Sequence, residues 1–115
     1  MIDCCQVTTT LGSREAAERL GMIVVQERLA ACAQIVGPIA SIYRWQGAVE
    51  RADEWYCHLK TTRACFPALA ARLAALHSYD VPEVIALPIV AASPAYLAWI
   101  EECVRSAPTP SPSEP

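Results

Sequence analysis

Asp53-Glu54-Trp55-Tyr56-Cys57-His58-Leu59-Lys60-Thr61-Thr62 alternates without a break. Successive side chains of an extended chain leave on opposite faces, so Trp55, Cys57, Leu59 and Thr61 point one way and Glu54, Tyr56, His58 and Lys60 the other. The stretch reads as a strand with one face for a core and a second face of different character. Upstream, Gln34 to Trp45 is rich in Ile, Val, Ser and Tyr, and the short link containing Gly47 suits an antiparallel hairpin better than a crossover. Gly37-Pro38 interrupts this second strand; proline offers no ladder donor, so a bulge or a late start is expected there. The hairpin is long for a chain of 115 residues.

Working outward, Ile2 to Thr10 mixes β-branched residues and cysteine before the break at Leu11-Gly12, a first strand. Ser13 can cap a helix, with Glu15 favoured in its first turn and Ala16, Leu20 and Val24 at helical spacing. That helix is expected to run to about Ala31. Past the hairpin, Phe66, Leu69, Leu73 and Leu76 form one stripe, with Pro67 in the first turn and His77 at the end. Val84 to Val90 is a short apolar run, the fourth strand, and Pro88 argues for an edge or a bulge. Ser93-Pro94 then opens a third helix with a stripe of Tyr96, Trp99, Ile100 and Cys103. The order βαββαβ plus a C-terminal helix is the split βαβ pattern of a ferredoxin-like α+β fold. Residues 1–106 make a single domain, and 107–115, where Pro108, Pro110, Pro112 and Pro115 alternate with Ser, Thr and Glu, are expected to be a disordered tail.

A hydrophobic share of 54% supports a core without disulfides or a structural metal. The formal net charge of -3 gives no basic field for nucleic acid or an anionic membrane. Neither a leader pattern nor an apolar run of about 18 residues is present, so a soluble cytoplasmic protein is expected. The six cysteines, Cys4, Cys5, Cys32, Cys57, Cys65 and Cys103, lie mostly in apolar or alternating runs and read as reduced core thiols. No Cys-x-x-Cys pair suggests a zinc ribbon or a redox site.

No nucleophile elbow and no glycine-rich phosphate loop occurs, so catalysis and an organic cofactor are not expected. A small hydrolase of the acylphosphatase type would share the fold class, but its phosphate-gripping loop is missing. His58 and His77 are the only imidazoles. His77 either finishes its helix or, with Tyr79, Asp80 and Glu83 on the turn that follows, converges on a cation. Ligands from one loop leave such a site open, and a second subunit could close it. Trp45 and Trp99 read as core side chains first and interface anchors second. The row Glu54, Tyr56, His58 and Lys60 is either a solvated face or, in an oligomer, the lining of an intersubunit cleft.

Tyr43-Arg44-Trp45-Gln46-Gly47, Lys60-Thr61-Thr62 and His77-Ser78-Tyr79-Asp80-Val81-Pro82-Glu83, in this order, resemble the CutA divalent-cation-tolerance family, as do Thr8-Thr9-Thr10, Glu27 to Cys32 and Tyr96 to Ile100. The resemblance covers the chain up to about Val104. It implies a tight homotrimer with hairpins reaching across to neighbours, binding of copper(II) or another divalent cation, and no catalysis. The metal candidates it leaves are His77 and Glu83. Tyr43, Trp45, Glu54, His58, Lys60 and Tyr79 become candidates for the intersubunit cleft. The family's likeness to PII signalling trimers implies an alternative, a sensor or scaffold that reads a small anionic ligand through Lys60, Tyr79 and Glu83 and reports it to a protein partner. Two departures stand out: Thr9-Thr10-Leu11-Gly12 lacks the cysteine many members carry after the first strand, and Ser78 stands between His77 and Tyr79 where proline is common.

Overall fold

The computed structural model describes residues 3–105; Ile2 and the expected 107–115 tail lie outside them. Seven elements follow in order: β1 (Cys4–Leu11), α1 (Arg14–Gln26), β2 (Cys32–Trp45), β3 (Ala48–Thr62), α2 (Phe66–Leu76), β4 (Ile85–Pro88) and α3 (Pro94–Cys103). They make one antiparallel sheet in the order β2-β3-β1-β4. This is the expected ferredoxin-like arrangement, with β4 on an edge where Pro88 costs no internal ladder bond.

The alternation of β3 sorts the sheet into two faces. Cys57, Leu59 and Thr61 are buried, and Val7 and Thr9 of β1 sit in the same row. The core gathers there with Leu20 and Val24 of α1 and Leu69 and Leu73 of α2. Burial pushes the Cys57 thiol up to about 11, so it stays a neutral apolar group. The opposite row, Tyr56, His58 and Lys60, is only half-buried. Helix α3 borders the end of that second face, where its Tyr96 hydroxyl lies 3.8 Å from Cys32 Sγ and Ile100 is wholly buried.

Ser13 caps α1 by accepting from the Ala16 amide at 3.1 Å, and Ser93 caps α3 by accepting from Tyr96 at 3.3 Å. The far end of α1 departs from expectation. The helix stops at Gln26 instead of about Ala31 because Arg28 takes φ 61°, with its amide donating to Val25 and the Leu29 amide to Val24. These two bonds form a Schellman closure, usually built on glycine at the left-handed position. Arg28 carries that backbone cost, roughly 1–2 kcal/mol. Its guanidinium in turn donates to the carbonyls of Glu102 at 2.8 Å and Cys103 at 3.0 Å, closing the C-terminus of α3. Leu29, Ala30 and Ala31 prolong the apolar pattern as a buried loop.

The hairpin is longer than the alternation suggested. β3 begins at Ala48 instead of Asp53, and Trp45 pairs directly with Ala48 across Gln46-Gly47, whose φ values of 49° and 83° make a two-residue turn of type I′. Ala48 to Arg51 are exposed and bury neither face, which removes the periodic signal that marks the rest of the strand. Near its base the pairing slips between Val36 and Ile39, the expected bulge. Trp55 lies against this slip: a Cβ at Gly37 would come within 2.4 Å of its indole, so only glycine fits. β4 is shorter than the Val84 to Val90 run, spanning four residues, although the Ile89 amide still donates to Cys4 at 3.0 Å. Trp45 and Trp99 are 41% and 40% exposed, so neither is a core residue.

One buried hydroxyl has no hydrogen-bond partner among the described residues, Thr9 Oγ1 on the helix-covered face. Leaving such a group unpaired costs about 1–3 kcal/mol. Thr9→Val keeps the shape and removes the cost, so it is expected to stabilise the fold by about 1 kcal/mol, read as a higher urea midpoint at unchanged slope. A lower midpoint would mean that the hydroxyl is satisfied.

Candidate functional site

Beyond the slip, the outer half of β2 and the loop between α2 and β4 border one space on the sheet's second face. The space between holds a cleft of about 730 Å³ lined by Thr10, Ile39, Ala40, Ser41, Ile42, Tyr43, Trp45, Glu54, Tyr56, Ser78, Tyr79, Asp80, Val81 and Glu83. Three carboxyl side chains and four aromatic rings thus share one cavity, and no lysine or arginine lines it.

Glu54 is the most enclosed charged residue there, 8% exposed although it belongs to the row that alternation leaves open. Its Oε2 accepts from the Tyr79 hydroxyl at 2.8 Å. Burial, then that hydrogen bond and the Glu54 charge, push the Tyr79 hydroxyl up to about 12, which keeps it a donor at any physiological pH. A Cβ at Gly12 would lie 3.4 Å from the same hydroxyl, so the turn after β1 supports Tyr79 from behind.

His77 holds the loop. Its Nε2 donates to the Thr10 carbonyl at 2.7 Å, and its Nδ1 accepts the Tyr79 amide at 3.1 Å, an arrangement that places the proton on Nε2. The ring lies 4.6 Å from that of Tyr79, tilted by 55°. Both nitrogens are therefore occupied, and a metal could reach the imidazole only by displacing one of these bonds. Among the described residues no three His, Cys, Asp or Glu side chains are grouped as a metal site.

His58 stands further along the second face. Its Nδ1 pairs with Thr8 Oγ1 at 2.9 Å, and the ring stacks on Tyr56 at 5.1 Å. Burial and the Lys60 charge hold its pKa below the usual histidine range, while Glu83 opposes them. Lys60 Nζ donates to Gln34 Oε1 at 2.6 Å across the β2–β3 pairing. Of the eight residues singled out in the sequence, Tyr43, Trp45, Glu54, Tyr79 and Glu83 meet in the cleft; His58, Lys60 and His77 lie outside its lining. Thr10, Ile39 and Ser41 were not foreseen, because their place depends on how far the Gly37-Pro38 bulge turns the strand.

The sheet order, the helices and this cleft under a long hairpin define a ferredoxin-like α+β protein with an acidic, aromatic-walled cavity. The chain belongs to the CutA1 divalent ion tolerance protein family, whose model matches residues 5–103. The divalent-cation tolerance protein CutA of Thermus thermophilus is 47% identical over 84% of this chain and 93% of that protein. A chloroplastic CutA of Arabidopsis thaliana is 43% identical over 87% of this chain, which spans 55% of that longer relative. Among solved structures, CutA1 from Oryza sativa superposes with a TM-score of 0.88 at 39% identity, covering 90% of this chain and 95% of that one.

Removing the Tyr79 hydroxyl strips the enclosed Glu54 of its donor, so Tyr79→Phe is expected to lower stability by about 1–3 kcal/mol, measured by urea denaturation. An unchanged midpoint would show that water replaces the bond without loss.

Proposed function

We propose that this protein is a homotrimer that binds divalent cations, copper(II) foremost, and catalyses no reaction. The observation that carries this reading is that Glu54, Asp80 and Glu83 all line one cleft of a chain belonging to a divalent ion tolerance family. Carboxyl oxygens suit divalent cations, and an imidazole nitrogen adds preference for copper(II) or zinc. Glu83, exposed at the cleft, is the first contact; His77 joins by exchanging one of its two hydrogen bonds for the metal. Two ligands from one chain leave positions for a neighbour's groups.

The β2–β3 arm supports assembly. Ile42 is 72% and Val49 64% exposed near its tip, and Ile85 and Leu87 are exposed on β4 at the opposite edge of the sheet, apolar side chains that neighbouring subunits would cover. All six cysteines are unpaired and four are buried, which supports a reducing cytoplasm as the working compartment. The net charge of -3 argues against nucleic acid as a partner, and no helix among the described residues is long and apolar enough to cross a membrane.

A second reading, a PII-like small-ligand sensor or scaffold, is supported by the cleft volume, which lies in the range of small-molecule sites. The charge of the lining counts against an anionic ligand, since Lys60 is held by Gln34 outside the cleft.

Calorimetric titration of reduced protein with copper(II) and with zinc, with the mass of the same sample from light scattering, tests the leading reading. A trimeric mass and saturable binding that weakens at least about tenfold, roughly 1.4 kcal/mol, in His77→Ala and Glu83→Ala are expected. Unchanged affinity in the double variant would refute these ligands, and a monomeric mass would refute the assembly.

A further inference from the structure

Glu54 poses a problem that the proposed copper ligands, His77 and Glu83, leave untouched. The residue is 8% exposed, and its carboxyl group receives one neutral donor and makes no ion pair among the described residues. A buried carboxylate is costly unless a positive charge balances it. The cleft it faces is far larger than a metal ion requires, and its walls include the four rings of Tyr43, Trp45, Tyr56 and Tyr79. Aromatic faces are poor ligands for a hard cation but attract the diffuse charge of an alkylated ammonium group.

We propose that this cleft is a binding site for a small organic ammonium ion, with Glu54 as counter-charge and Tyr43, Trp45 and Tyr56 as aromatic walls. The proposal deepens the small-ligand reading and changes the sign of the ligand expected there. Three features carry it together. The volume of about 730 Å³ holds a molecule of metabolite size. The charged residues of the lining are all acidic, so an anion is repelled and a cation drawn in. Tyr43 and Trp45 are about two-fifths exposed on the hairpin arm, leaving ring surface for a ligand to cover. Tyr79 serves as a positioning residue: its hydroxyl fixes Glu54 Oε2 and leaves Oε1 for the guest.

The test uses the full chain in metal-free phosphate buffer, titrated calorimetrically with choline and with 3,3-dimethylbutan-1-ol, which has the same shape and no charge. Choline is expected to bind saturably, and the neutral compound at least about tenfold more weakly, the range set by a desolvated cation against carboxylate and rings. Glu54→Gln retains the acceptor for Tyr79 and should reduce choline affinity about tenfold without changing the neutral compound. Trp45→Leu, on the exposed arm, gives an independent reading and should weaken choline several-fold. Copper(II) binding measured on the Trp45→Leu protein should be unaltered, so failure here and failure of the metal reading are separable.

Equal binding of the two compounds would overturn the proposal in favour of a merely apolar groove. No saturable choline binding, with Glu54→Gln lowering the oligomer's mass, would also overturn it and assign the cavity to a basic side chain of a second copy.

Discussion

Strand β3 pairs on both sides, with β1 along Trp55 to Thr62 and with β2 from Lys60 out to Ala48, and the rest of the molecule depends on that double pairing. One row of its side chains anchors the core under α1 and α2, while the other sets the character of the second face. Because β2 continues to pair beyond the end of the core, the sheet becomes an arm that no helix covers. The cleft lies between that arm and the 78–83 loop, on a face that the core does not need.

Much of this was legible in the sequence wherever one side of an element is buried and the other is not. Cys57, Leu59 and Thr61 against Tyr56, His58 and Lys60 fixed the character of β3, and Ser13 and Ser93 marked two helix starts, because each pattern has a local cause. Legibility failed where burial stopped being one-sided. Ala48 to Arg51 expose both faces and carry no alternation, so the arm was read short. Leu29 to Ala31 are buried without being helical, so α1 was read long, and an arginine at its closing position hid a turn normally signalled by glycine.

The site was legible only in part, for a related reason. Residue types on the 77–83 turn pointed to cation chemistry, and five of the eight singled-out side chains do meet. His77 spends both ring nitrogens on holding the loop. Its role in the isolated chain is architectural: it ties the end of α2 to the end of β1 and thereby aims Tyr79 at Glu54. Whether a histidine is a free ligand or a strut depends on backbone groups far away in sequence, here the Thr10 carbonyl, and no local pattern reports them.

The arm's two-residue turn has an evolutionary corollary. Side chains on a strand repeat every second residue, so lengthening each strand of the arm by one residue would carry Tyr43 and Trp45 to the other face. Extending only one strand would create another bulge and re-aim the tip. Descendants that keep the cleft can therefore change the arm's reach only in quanta of two residues per strand, about 7 Å at a time. Length variation within this hairpin should be counted in fours, and an insertion of any other size marks a lineage in which the cavity has been rebuilt or abandoned.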